Sequence, residues 1–366
     1  MHYVDTLEAL ERACQACGEA AAVAVDTEFE RSVTYHPRPA LIQIGDGERI
    51  WLLDPLALPD LAALGRLLDA SPPLKIMHSA MEDLSVLQRA TDRVPQALFD
   101  TQLAAALTGH GFGLGYHALV KDLLGVEVSK DQTRSDWLRR PLSDAQLSYA
   151  AADIAHLHAL HRRLAARLEE LGRTPWLDEE TRRMRQRGTD DDAERDFLRL
   201  ADRAQDDRSR GVLRAMCGWR NQDARQRDRP RRHVVDDPLL LELASARPQD
   251  HASLERLPAW RGHRGRASAA ALLRAVADTL DAPPLARVPG AADLREHRRA
   301  LDCLKRAVSE VAASSGIAAG LLAPRRMLEQ AVVHARLQGQ EGLPEEFSGW
   351  RTGLLQARLL ECLHDA

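Results

Sequence analysis

Long apolar runs are missing from this chain: none approaches the roughly 18 consecutive residues that cross a bilayer as a helix. Its first residues, MHYVDTLEALERACQ, carry acids where a secretion signal needs a basic start and an apolar stretch. Export is therefore not expected, and the cytoplasm is. Cysteine is sparse and odd in number, five residues scattered from Cys14 to Cys362, which makes no disulfide framework. Cys14-x-x-Cys17 invites a metal or redox site. It lacks a second pair and sits in an alanine-rich helical pattern, so plain packing is the better reading. Lysine is rarer still: Lys75, Lys121, Lys130 and Lys305 are the whole set among 50 basic residues. Genome composition explains that arginine bias as well as phosphate recognition does.

What is present is a division of charge. The formal net charge of −4 argues on average against a nucleic-acid binder. Yet residues 1–170 hold 16 basic against 24 acidic side chains, while residues 201–366 hold 27 against 22. An acidic half joined to a basic half suggests that chemistry and binding are separated along the chain. At 366 residues, with 45% hydrophobic and 28% charged residues, two or three globular domains are expected.

The first half alternates strand and helix signals. Strands are expected over 23–29, 40–45 and 49–53, the last two joined across an Asp46-Gly47 turn, and again over 74–77. Helices fit 59–69, a segment beginning near Ala80, 100–108, 116–125 and one long stretch, 143–170. This order reads as a mixed sheet with helices on its faces. Residues 171–205 are highly charged, with Gly188 as a break, and read as a partly helical linker. Everything beyond is helical, and Pro283, Pro284, Pro289 and Gly290 cut it into 206–285 and 291–366. The two pieces are alike, since Trp260-Arg261 and Trp350-Arg351 each open a final amphipathic helix.

One strand poses a chemical problem. In VAVDTEFE, Asp26 and Glu28 share the face opposite Val23, Val25, Thr27 and Phe29. Two neighbouring carboxylates repel, and their desolvation costs several kcal/mol unless a partner compensates. Two more acidic sites follow. HSAMEDLSVLQ puts Asp83 in the first turn of a helix after strand 74–77, and adjacent Glu82 must point elsewhere. YAAADIAHL sets Tyr149 and Asp153 four apart on one helical face, with Ala150, Ala151 and Ala152 small enough to lie close to a sheet. Taken singly, Asp83 could be a favourable helix N-terminal charge, Tyr149 a core aromatic and Asp153 a solvated acid. Taken together they are four carboxylates and a tyrosine with no Cys or His in a ligating pattern. Hard oxygen ligands of this kind select Mg²⁺ or Mn²⁺. Two such ions activate a water and stabilise the leaving oxygen of a phosphodiester.

DTEFE, HSAMEDL and YAAADIAHL, in that order and on those elements, resemble the three exonuclease motifs of the DEDD superfamily in its tyrosine-bearing subgroup. RSVTYHPRPALIQIGDG and TRSDWLRRPLSDAQLSYAAAD are similar more specifically to the bacterial ribonuclease D family, and the two helical modules resemble its pair of HRDC domains. The resemblance covers essentially the whole chain. It implies an α/β ribonuclease H-like exonuclease domain over 1–170, the linker 171–205, a first HRDC domain over 206–285 and a second, HRDC-like, over 291–366. It further implies that Asp26, Glu28 and Asp153 hold the metal carrying the attacking water. Asp26 and Asp83 would hold a second metal on the leaving 3′-oxygen side, and Tyr149 would orient the water. The implied activity is 3′→5′ exoribonuclease action, trimming precursor tRNA and other small RNAs and releasing nucleoside 5′-monophosphates. The second module lacks the VDDP stretch of the first (residues 235–238), which leaves its own binding role open.

Other conspicuous residues have ordinary readings. His156, His158 and His161 suit surface or packing positions better than a metal site, and Trp219, Trp260 and Trp350 suit cores better than base stacking. The stretch 208–232, with nine arginines and the acids Asp223 and Asp228, is either a solvated helical face or a phosphate-tracking surface. RNA is the expected partner, with no membrane and no obligate protein partner. Two alternatives remain: a DNA exonuclease with the same metal chemistry, and an inactive nucleic-acid-binding module, which the intact five-residue set argues against.

Overall fold

The structure is a computed structural model that describes residues 1–129, 132, 135–187, 192–262, 269–287 and 293–365. Gly188, Pro289 and Gly290, expected as breaks, lie outside the described residues, as do Thr133 and Arg134 of TRSDWLRRPLSDAQLSYAAAD. The chain forms two compact units. One joins Met1–Glu30, Pro37–Thr189 and Ala291–Ala366, and the other joins Arg31–His36 to Asp190–Gly290.

The first unit is built on a six-stranded mixed sheet: β1 (His2–Val4), β2 (Ala22–Glu30), β3 (Arg38–Gly45), β4 (Ile50–Leu53), β5 (Leu74–Met77) and β6 (Leu98–Asp100), in the order β1-β4-β3-β2-β5-β6. β2 and β4 run antiparallel to β3, while β1–β4, β2–β5 and β5–β6 are parallel. Helices α1 (Leu7–Gly18), α2 (Ala62–Asp69), α3 (Met81–Thr91), α4 (Thr101–Thr108), α5 (Tyr116–Leu124), α6 (Asp144–Ala155), α7 (Leu157–Glu170) and α8 (Thr174–Arg187) cover it. β2 is central and buried on both faces. Val23 and Val25 enter an apolar layer with Leu84 and Leu87 of α3, and Ala24 enters another with Ile154, Leu157 and Leu160. A strand sandwiched in this way needs apolar residues on both sides, so its acids fall only at its C-terminal end.

The helix expected over 143–170 is two helices, α6 and α7, separated at His156. The reason is a side chain from α5. The Tyr116 hydroxyl donates to the Ala152 carbonyl at 2.8 Å and accepts from the His156 N–H at 3.2 Å, standing in the place of one i→i+4 rung. α6 starts on a capping box in which the Ser143 hydroxyl accepts from the Gln146 N–H and the Gln146 side chain accepts from the Ser143 N–H. His158 bonds the Gly45 carbonyl at 3.1 Å and His161 packs edge-on against Phe99, so both are packing residues.

The second unit contains α9 (Asp192–Leu200), α10 (Asp207–Gln226), α11 (Arg231–Val234), α12 (Asp237–Ala246), α13 (His251–Glu255), α14 (Pro258–Gly262) and α15 (Ala269–Thr279) around one apolar cluster. Tyr35 belongs to that cluster, and its hydroxyl donates to Asn221 Oδ1 at 2.9 Å. The Tyr35 and His36 N–H groups both donate to Asp228 Oδ1, at 3.1 and 2.9 Å.

Helices α16 (Arg298–Ser315), α17 (Ala319–Leu322), α18 (Arg325–Val332) and α19 (Trp350–Asp365) return to the first unit. Their Leu304, Val308 and Leu359 share an apolar core with α4, α5 and α7. Trp350 stacks on Trp176 of α8 with ring centroids 5.1 Å apart, and Arg351 pairs with Glu180 of the same helix. Cys303 and Cys362 form a disulfide between α16 and α19, with an S–S distance of 2.08 Å. Cys14, Cys17 and Cys217 are buried thiols, and burial pushes all three pKa values up, the state of inert packing cysteines. Among the described residues, no helix is long and apolar enough to cross a membrane.

Candidate active site

The acids of β2 stand where the strand leaves the two apolar layers. Asp26 lies opposite Gln43 of β3, and the register shifts between Glu28 and Phe29. α6 lies over this face of the sheet because its alanines permit close approach: Ala150 is fully buried in a cluster with Leu41 and Leu52. The approach brings Tyr149 and Asp153 to Asp26, and these three line one cavity of about 170 Å³. The Tyr149 side chain hydrogen-bonds Asp153, one helical turn away.

Asp83 reaches the same neighbourhood from the other side of the sheet. Ser79, at φ 59°, turns the chain sharply out of β5, and Asp100 accepts from the Ala80 N–H at 2.8 Å to fix the entry into α3. Asp83 is buried in the first turn of α3 and accepts a hydrogen bond from the Thr27 hydroxyl, between the two β2 acids, while Glu82 is exposed. Asp83 and Glu28 do not line the cavity. They act on it through charge.

The electrostatics are those of carboxylates without a counter-ion. Desolvation, then the charges of Asp83, Asp153 and Glu28, push Asp26 well above the usual carboxylate range. Desolvation and the charges of Asp153 and Asp83 bring Glu28 to about 8. Desolvation brings Asp83 to about 7, against the opposing Thr27 hydrogen bond. Desolvation brings Asp153 to about 7, against that of Tyr149. Among the described residues, no lysine or arginine forms an ion pair with any of the four; the nearest basic group is His117, with Nε2 3.7 Å from Asp153 Oδ1. Nor do three or more His, Cys, Asp or Glu side chains among the described residues form a ready-made metal cage. Mutual repulsion of this kind is what divalent cations relieve, and an all-oxygen donor set fits hard ions such as Mg²⁺ or Mn²⁺.

Four cavity residues were not picked out in the sequence: the apolar Leu157, and His78, Tyr116 and His117, which carry polar groups. His78 follows β5 directly as the first residue of HSAMED and bonds Thr101 Oγ1 at 2.9 Å, so its position carried a signal. Tyr116 and His117 carried none, because they reach the cavity from a helix without a recognisable motif.

Comparison with known proteins agrees along the whole chain. Family models match over residues 1–169 (3′-5′ exonuclease), 209–276 (HRDC domain) and 296–359 (Ribonuclease D, C-terminal HRDC domain). The Ribonuclease D of Xanthomonas oryzae pv. oryzae (strain KACC10331 / KXO85) is 38% identical over 354 residues, covering 94% of this chain and 93% of that one. The Ribonuclease D of Escherichia coli (strain K12) is 34% identical over 369 residues, covering 99% and 98%. The crystal structure of Escherichia coli RNase D, an exoribonuclease involved in structured RNA processing, matches with a TM-score of 0.86 and 32% identity over 99% of this chain and 98% of that one. An exonuclease fold of this kind generally depends on divalent metal ions. With its motif-bearing strand, its acidic cavity and its helical modules all in place, the chain belongs to the ribonuclease D family and is a hydrolase, a 3′→5′ exoribonuclease.

Proposed function

We propose that the protein trims the 3′ ends of precursor tRNA and other small structured RNAs, releasing nucleoside 5′-monophosphates. Asp26, Glu28, Asp83 and Asp153 would hold two divalent cations, Mg²⁺ or Mn²⁺, and Tyr149 would act with them. The observation that carries this reading is a set of four carboxylates with no lysine or arginine paired to them among the described residues: Asp26 and Asp153 line one cavity, and the charges of Asp83, Asp153 and Glu28 raise Asp26. Bound there, the cations supply a nucleophilic water at neutral pH and neutralise charge on the leaving oxygen. The chain's own residues do the rest. Tyr149, hydrogen-bonded to Asp153, would orient the attacking water. Asp83, which accepts from the Thr27 hydroxyl, would with Asp26 hold the cation on the leaving 3′-oxygen side.

The domain division proposed is 1–170 for chemistry, 171–205 as connector, 206–285 as an HRDC module that engages RNA, and 291–366 as a second, HRDC-like module. The second unit supports a role in binding. It carries a groove of about 800 Å³ lined by six arginines against three aspartates. Asp196 and Asp237 are already paired with Arg199 and Arg220, and Asp236 accepts from the Leu239 N–H, so the surplus is positive. A polar, cationic groove suits a phosphate backbone rather than a small apolar ligand. The deciding experiment is a digest of matched 3′-tailed RNA and DNA hairpins, 5′-labelled, with Mg²⁺, with Mn²⁺ and with EDTA. A metal-dependent ladder shortening from the 3′ end of the RNA supports the proposal. Preference for DNA would make the protein a DNA exonuclease, and binding without cleavage an idle module.

A further inference from the structure

Gln43 lies in the middle of β3 and is fully buried, yet both polar atoms of its amide, Oε1 and Nε2, are without a hydrogen-bond partner among the described residues. A buried amide in that condition costs about 1–3 kcal/mol, whereas an apolar side chain of the same shape would be neutral or stabilising. The flanking residues Leu41, Ile42 and Ile44 are all apolar and buried, so the strand has no difficulty in placing hydrocarbon here. An orphaned group in such a place calls for a functional account.

Its surroundings leave little choice of partner. Register sets Asp26 directly across on β2 and Leu52 directly across on β4. Leu41 and Gly45 precede and follow it on the same face of β3. α6 closes over that face: Leu41, Leu52 and Ala150 share one buried cluster, and a Cβ on Gly45 would stand 3.2 Å from Ile154. Of the residues paired with it or flanking it in the sheet, only Asp26 carries a side-chain hydrogen-bonding group; Trp137 of the overlying cluster brings an indole N–H, itself without a partner among the described residues, which can donate but not accept from the Gln43 nitrogen. Residues paired across strands have Cβ atoms about 4.5–5.5 Å apart, within reach of a glutamine amide.

We infer that Gln43 is a positioning residue for the active site, its amide nitrogen donating to the Asp26 carboxylate when that group holds a cation. The inference rests on the reading of Asp26 as a metal ligand. A neutral donor is the right chemistry for the task. Lysine or arginine in the same place would compete with the cation for the carboxylate, and a hydrocarbon would leave the carboxylate free to rotate. Ligating carboxylates are commonly held by such outer hydrogen bonds, and losing one costs about 10–100-fold in metal affinity or activity.

The test is Gln43→Met in the full chain, which keeps volume and removes the amide, with Gln43→Leu as a second variant should Met pack badly. Mn²⁺ binding is followed by calorimetry without RNA, thermal unfolding is followed in EDTA, and kcat and KM are measured across a Mn²⁺ titration. The Mn²⁺ dissociation constant should rise about tenfold, and excess Mn²⁺ should recover kcat while KM for RNA stays put. The midpoint in EDTA should not fall, since an unsatisfied amide has been removed. Mn²⁺ affinity within about twofold of the parent would overturn the inference and leave Gln43 a packing residue. A parent protein that binds no Mn²⁺ at all would instead sink the metal-site reading, and this inference with it.

Discussion

The Tyr116 hydroxyl accepts a hydrogen bond from the His156 N–H at 3.2 Å while donating to the Ala152 carbonyl. One phenol thus ends the helix that carries Asp153. The break lies three residues beyond Asp153 and sets how the last turn of α6 faces β2. Tyr116→Phe removes the bridge. Either the rung between Ala152 and His156 closes directly and rotates Asp153, or the Ala152 carbonyl loses the phenol at about 1–3 kcal/mol while the His156 N–H keeps the Ile154 carbonyl. Both outcomes lower kcat, by an expected factor on the order of ten, with saturating RNA and metal. Steady-state kinetics beside a urea titration checks this, and full activity in the Phe variant would show that the break is incidental.

Asp26→Asn separates chemistry from folding. Asp26 is the acid on which the other three charges converge, so its loss should take hydrolysis to the detection limit. In EDTA at pH 8 the same change relieves repulsion in a buried cluster. The variant should therefore be more stable than the parent, by on the order of 1 kcal/mol. Denaturant midpoints with chelator measure that sign. A destabilised variant would mean that Asp26 makes a structural contact that its neighbours' charges conceal.

The alternation in VAVDTEFE was enough to place β2 and to set Asp26 and Glu28 on one face, because a period of two is a local property. The edge strands of three residues, β1 and β6, are too short for any period to register, and sheet pairing alone makes them strands. The break at His156 was not legible because its cause, Tyr116, lies 40 residues upstream. The Cys303–Cys362 pair spans 59 residues and depends on α16 packing against α19. The stretch 171–205 read as a partly helical connector because it is highly charged and broken at Gly188. In the fold Glu180 is paired with Arg351, and Trp350 donates to it from Nε1 at 2.9 Å, ties that no local pattern announces. The buried, unpartnered amide of Gln43 was invisible for the same reason: burial is a property of the sheet, not of the LIQIG stretch.

Arg140 should be a structural anchor. It forks onto Asp54, with Nε to Oδ2 at 2.7 Å and Nη2 to Oδ1 at 2.6 Å, and donates to the Ala40 and Trp137 carbonyls. Burial acts upward on Asp54, but hydrogen bonds from Arg140 and Tyr3 hold it below the usual carboxylate range. Arg140→Ala strands a buried carboxylate and frees the segment that enters α6, at an expected cost of about 2–4 kcal/mol, discounted for the partial exposure of Arg140. Arg140→Lys should restore less than half of that, because an ammonium cannot fork. Urea midpoints of the two variants decide it, and equal stability in Lys and parent would remove the geometric argument.

The raised carboxylates make a prediction about pH and metal together. Glu28, at about 8, and Asp83 and Asp153, each at about 7, all lie above the ordinary carboxylate values near 4 that they regain on unfolding. Between about pH 4 and pH 8 the folded chain therefore binds more protons than the unfolded chain, and its stability falls as pH rises through that window. In EDTA the unfolding midpoint should be lower at pH 8 than at pH 6, by a few degrees for a chain of this size. A cation takes over the neutralising role of those protons, so Mg²⁺ or Mn²⁺ should raise the midpoint more at pH 8 than at pH 6. Asp26→Asn should flatten the slope in EDTA and abolish the metal-dependent gain. Scanning calorimetry at the two pH values, with chelator and with each metal, tests both halves. A midpoint in EDTA that stays level or rises between pH 6 and pH 8 would mean that the four acids already find compensation inside the fold, and the case for cations between them would lose its electrostatic ground.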